Sequence, residues 1–191
     1  MLIKPFHVAG LLVLLCSFFV QDNTSLILWQ KKNLRWKNFT GVADSIGPHA
    51  KALAGTYSRL EQRYYRVNNE IHFVIAAWFN PAKSWVRKGV VSSFQSDRVL
   101  RHEQHHFDMC ELYARQIRKY LSSTVFREAT YKTEVEQLFK KFHEQYRAEQ
   151  ERYDSELKEQ VHTLDDWANA IDQELKELSK FTDTALVVKM Q

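Results

Sequence analysis

Glycine and proline are scarce in this chain, and both run out early. Of 191 residues 5 are Gly and 3 are Pro, and residues 90–191 contain neither. An all-β architecture of that length needs such residues at its turns, so the C-terminal half reads as helical. Cysteine is nearly absent too. Cys16 and Cys110 are the two in the chain, and if the N-terminal segment is removed no intramolecular disulfide can form. The mature chain must then be held by packing, helped by a metal. Long apolar runs are also missing. The one candidate, residues 8–20, is shorter than the about 20 residues of a comfortable transmembrane helix. With 45% hydrophobic and 26% charged residues, disorder and a polytopic membrane protein are both excluded.

The apolar run follows Lys4 and ends at the polar Gln21, Asp22 and Asn23. A positive start, a short apolar region and a polar exit are the parts of a secretory signal. Residues 1–21 thus read as a signal peptide or N-terminal anchor, and 22–191 as a single exported domain, periplasmic or secreted and open to membrane attachment through that segment. Leu15 before Cys16 argues against lipidation, which wants a small residue there.

The net charge of +4 is divided along the chain. Residues 22–100 hold 12 Lys/Arg against 5 Asp/Glu, and residues 101–191 hold 14 against 18. The basic charge is dispersed, with neither a concentrated patch nor a binding motif, so nucleic acid is not an expected partner. Oligomeric state is not legible.

What is present divides at about Ser96. Residues 25–37 alternate locally and predict at least one strand, and Gly41 to Gly47 predicts a loop. Residues 56–66 and 70–79 read as two strands joined at Asn68-Asn69, which suits a hairpin turn. Both faces of 70–79 are largely apolar, which predicts burial on both sides. After Ser96, a plausible N-cap, Leu100, Phe107, Cys110, Ala114, Ile117 and Leu121 form a helical stripe. Further helices fit 131–160 and 164–180. The fold class is α+β: N-terminal antiparallel strands, then one long helix and two further helices.

Inside the first helix lies His102-Glu103-Gln104-His105-His106, an H-E-x-x-H pattern that stacks two imidazoles on one helical face. Two such imidazoles can share a Zn²⁺, and the intervening Glu can act on metal-bound water. Setting Leu100 at zero and counting about 100° per residue, Glu103 falls near 300°, within the apolar arc. A buried carboxylate is costly without a partner, and a metal site supplies one. His102 and His106 lie at the edge of the arc, while His105 is expected toward solvent. Asp108 and Glu111 are expected to support the metal ligands from behind or, in preference, to form salt bridges, and Cys110 is expected in the core.

The run from Leu100 through His102-Glu103-Gln104-His105-His106-Phe107-Asp108 to Glu111-Leu112-Tyr113-Ala114-Arg115 resembles a bacterial domain-of-unknown-function family of predicted secreted zinc-dependent proteases. Leu34-Arg35-Trp36 with Phe39 and Gly41, Phe79-Asn80 with Ser84-Trp85, and Tyr153-Asp154 agree with it. The resemblance implies a zinc site and peptidase-like activity on a peptide or protein substrate. Two departures stand out. His105 replaces the family's usual Gly, and the family's Thr-x-His-Gly after Tyr-Asp is altered. If that family His is the third ligand, this chain offers His162 three places late or Glu159 in register. The expected metal set is His102, His106 and His162, preferred because imidazole is the family's ligand type. Glu103 is the expected general base, and Tyr153 and Asp154 are expected at most to orient a ligand. The rivals are a non-catalytic envelope protein with a structural or degenerate metal site, and an anchored basic domain that binds surfaces.

Overall fold

A hairpin sets the frame. In the computed structural model, which describes residues 26–30, 33–43 and 51–191, the expected signal segment and residues 44–47 of the expected loop lie outside the described residues. β1 is Ile27–Leu28, β2 Ala54–Gly55, β3 Ser58–Val67, β4 Glu70–Phe79, β5 Trp85–Val86 and β6 Ala185–Lys189. β3 and β4 pair antiparallel from Ser58↔Phe79 to Val67↔Glu70, so Asn68-Asn69 is the connection the sequence predicts. Asn68 takes φ 53°, a left-handed value that a short polar side chain tolerates.

β4 is the central strand. β3 covers one edge, while β6 pairs Glu70 to Val74 and β1 pairs Trp78 and Phe79 on the other. A separate small sheet joins β2 to β5. The strand expected in 25–37 is present as the two-residue β1, followed by a 3₁₀ turn at Trp36–Asn38. Two expectations are corrected here. The breaker-free half is not wholly helical, because β6 returns to fill the open edge of β4. Finally, β4 is fully buried on one face, through Ile71, Phe73, Ile75, Ala77 and Phe79, while His72, Val74 and Trp78 are only half-buried. That second face is roofed by the sheet's own side chains. Tyr65 stacks on His72 at 5.0 Å, and Trp78 Nε1 donates to Glu61 Oε2 at 2.8 Å.

The helices are α1 (Ser96–Ser122), α2 (Tyr131–Glu159) and α3 (Leu164–Glu177). Ser96 does not cap α1. Gln95 holds that position without a side-chain bond, and the Ser96 hydroxyl instead accepts from Trp36 Nε1 at 2.8 Å. α1 runs through the middle of the molecule and is covered on several sides. Ala114, Ile117 and Leu121 meet Ile71, Phe73 and Ile75 of the sheet and Val135, Leu138 and Phe142 of α2. Phe107 and Cys110 meet Phe79, Leu34 and Phe39. Met109 and Leu112 meet Trp167, Ile171 and Leu175 of α3 and Tyr153 of α2. Burying a helix so completely also buries polar residues, which must then be paired. Glu111 Oε1 accepts from Arg115 Nε at 2.8 Å and Arg118 Nη2 at 2.7 Å, and the same guanidinia reach the carbonyls of Leu175 and Thr182.

The segment before the hairpin clamps the first half of α1. The Leu34 amide donates to Gln104 Oε1 at 2.6 Å. Gly41 packs against the 82–84 turn so closely that a Cβ would lie 2.6 Å from the Ala82 carbonyl oxygen. Among the described residues no helix is long and apolar enough to cross a membrane.

Candidate metal centre

One turn of α1 separates His102 from His106, and their Nε2 atoms lie 3.1 Å apart. α2 brings Asp154 alongside, with Oδ1 3.2 Å from each Nε2. These three residues form a group able to hold a metal ion. A tetrahedral ion with bonds of about 2.0–2.1 Å sets its ligand atoms about 3.3 Å apart, so a near-equilateral triangle of this size suits one such ion. Two imidazoles and one carboxylate suit a divalent transition metal better than Mg²⁺ or Ca²⁺, which prefer oxygen throughout.

Neighbouring side chains fix the rings. Gln150 Nε2 donates to the His106 backbone carbonyl at 3.1 Å, and a carbonyl oxygen can only accept. The Gln150 amide is therefore oriented, and its Oε1 faces His106 Nδ1 as an acceptor. Nδ1 must carry the proton, which in the neutral ring leaves the Nε2 lone pair directed at the triangle. Tyr153, fully buried, packs against both rings. It stacks on His102 at 4.9 Å and meets His106 edge-on at 5.0 Å. Its hydroxyl donates to the His102 carbonyl at 3.3 Å and lies 3.1 Å from His105 Nδ1.

Electrostatics agree with the geometry. Desolvation works to raise the Asp154 carboxyl, but hydrogen bonds with His102 and His106 outweigh it and hold it well below the usual carboxylate range. Burial opposes protonation of His106, yet Asp154 and the charge of Glu103 together raise it. The Glu103 side chain is buried at 4% exposure, and its Oε2 has no hydrogen-bond partner among the described residues. An orphaned buried carboxylate oxygen beside two histidines is what a site organised around a cation leaves when considered without it.

His102, Glu103 and His106 therefore come together as the sequence predicts. His162 does not join them. It lies beyond the end of α2, where Nδ1 sits 3.0 Å from Glu156 Oε2. Glu159 is exposed and, five residues after Asp154, is rotated about 140° from it around the helix. Asp154 occupies the third corner of the triangle. His105 also departs from expectation. It is buried at 7% exposure against Tyr153, and burial, then the charges of Arg101, His102 and His106, push its imidazole down to about 4. Tertiary cover by α2 and α3 overrides its position on the helix wheel. Cys110 is in the core, where burial pushes its thiol up to about 12. Glu111 takes its salt bridges. Asp108 makes no ion pair among the described residues: it accepts from Trp29 Nε1 and Gln104 Nε2, both at 2.7 Å.

Sequence reasoning missed Gln150, and gave Asp154 an orienting role where it stands in the triangle itself. The available signal was their i, i+4 spacing, with Tyr153 between them, in a helix expected to pack on α1.

A family model described as "Bacterial protein of unknown function (DUF922)" matches residues 65–163. That stretch is more than half of the chain and contains all of β4, α1 and α2, hence the whole triangle, Glu103 and Gln150. No curated protein and no solved structure matches the chain.

Proposed function

The chain belongs to this bacterial family, whose description names no function, and from the geometry of the centre we propose that it is an exported zinc-dependent metallohydrolase acting on peptides or proteins. The observation that carries the reading is the convergence of His102, His106 and Asp154 beside the unpartnered oxygen of Glu103. Export rests on the N-terminal sequence pattern alone.

A zinc ion held by these three residues would supply a Lewis acid that polarises a carbonyl and brings the pKa of a water toward neutrality. The protein's own groups do the rest. Gln150 keeps the His106 Nε2 lone pair available, and Tyr153 holds both rings against rotation. Glu103 takes the proton of the attacking water and hands it to the leaving amine. Its burial keeps bulk water from competing for that proton. Three protein donors with one side open suit catalysis better than a structural site, which closes with four. The opening is on the Asp154 side, whose side chain is 57% exposed against 13% for His106.

The test combines metal content with turnover of a mixed peptide library. Purified protein is expected to carry about one zinc and to lose activity with a chelator. Glu103→Gln should keep the zinc and lose about 10²–10⁴-fold in turnover. Metal-free protein, or a Glu103→Gln variant of unchanged activity, would refute the proposal.

A further inference from the structure

A cavity of about 330 Å³ opens directly beside His102 and Glu103. Its other walls come from three parts of the fold: Ala52, Leu53 and Ala54 at β2, Val99 on α1, and Leu157 and Leu164 from the end of α2 and the start of α3. These are all aliphatic, and exposed Gln95 adds one neutral polar side chain. The one cation on the lining, Arg98, is exposed at the mouth. The β2 wall is tied to the chemistry, because Thr56 Oγ1 donates to the Glu103 carbonyl at 3.2 Å and β2 is paired to β5.

We infer that this cavity is the specificity pocket of the centre, receiving a large apolar side chain of the residue that adjoins the cut bond. The inference rests on the hydrolase reading and adds a substrate class to it: peptides with leucine-like side chains at that position, with lysine and arginine excluded. Three observations lead there. His102 and Glu103 form one wall, so a chain whose carbonyl sits at the metal triangle has its neighbouring side chain at the cavity mouth. The lining away from His102 and Glu103 is mainly aliphatic and gains from burying an apolar group. Arg98 at the mouth repels cationic side chains.

The experiment uses zinc-loaded full chain and blocked peptides that differ at one position, leucine against lysine. The leucine peptide is expected to be cut at least about tenfold faster by kcat/KM. Leu53 is 40% exposed, so Leu53→Asp is compatible with folding and places a carboxylate across from Arg98. It should narrow the leucine-to-lysine ratio at least about tenfold, with zinc content unchanged. Leu157→Trp, which fills the cavity, should shift preference to alanine. A binding readout runs beside these. In zinc-loaded Glu103→Gln protein, the uncut leucine peptide should move the methyl NMR signals of Leu53, Val99, Leu157 and Leu164, and the lysine peptide should not. If the wild type cuts peptides and Glu103→Gln does not, yet both pocket variants keep the wild-type profile, the pocket assignment is wrong and the hydrolase reading stands. If zinc-loaded wild type cuts nothing, both are wrong.

Discussion

Asp154 carries the largest consequence at the scale of single residues. It is the only carboxylate in the triangle and comes from a different helix than the two histidines. Replacing it with Ala should lower zinc affinity more than about 100-fold, while His162→Ala should leave it within about twofold. Gln150→Ala, which frees the His106 ring, should cost about 10–100-fold. Isothermal titration of the four proteins with zinc ranks them. A second residue titrates in a useful range. Burial raises the Asp108 carboxyl to about 6, against the hydrogen bonds from Trp29 and Gln104 that lower it. Its folded value lies above the unfolded one, so the native state binds the extra proton between about pH 4 and 6, and its stability falls as pH rises through that window. Asp108→Asn keeps an acceptor for both donors and removes the charge. It should stabilise by on the order of 1 kcal/mol at pH 7 and by nothing below pH 4. Denaturant melts at the two pH values check this.

At the scale of elements, the shortage of glycine has a visible cost at the end of α2. Gln160 is the C-cap with φ 60°, and its amide donates to the Glu156 carbonyl. A left-handed cap favours glycine, and a residue with a Cβ is worse there by about 1 kcal/mol. Gln160→Gly should raise the denaturation midpoint by an equivalent amount. No change would mean that the cap is unstrained. The next helix shows the opposite. Thr163 accepts from the Asp166 amide at 3.1 Å, and Asp166 accepts from the Thr163 amide at 2.8 Å, a complete capping box written in the sequence. The hairpin and all three helices were legible because each depends on local periodicity and turn residues. β6 was not, because five residues carry too little period and become a strand only where β4 has an open edge.

At the scale of the whole molecule, the triangle joins α1 to α2, and Tyr153, one position before Asp154, belongs to the core between those helices and α3. A ligand that binds only the folded state stabilises it by mass action. Zinc at 100 times its dissociation constant should therefore add about 2.7 kcal/mol, and chelation should remove it. Calorimetry with and without chelator measures the shift in melting temperature. Acidification should erase the effect, since His102 and His106 must give up protons to bind metal, and Asp154 and Glu103 raise His106 in the metal-free protein.

The chain by itself determined the α+β order, the hairpin, the helix bearing His102, Glu103 and His106, and the burial of Glu103. All of these follow from spacing along one continuous segment. Tertiary structure alone decided the third donor, the orientation of the His106 ring, the burial of His105 and the aliphatic walls beside Glu103. Those depend on which face of α2 meets α1 about fifty residues away, and on where β2 and α3 close over it. The early end of glycine and proline pointed to helices after Ser96. Their packing angles and registers, set by interlocking side chains, are what selected Asp154 over His162 and Glu159.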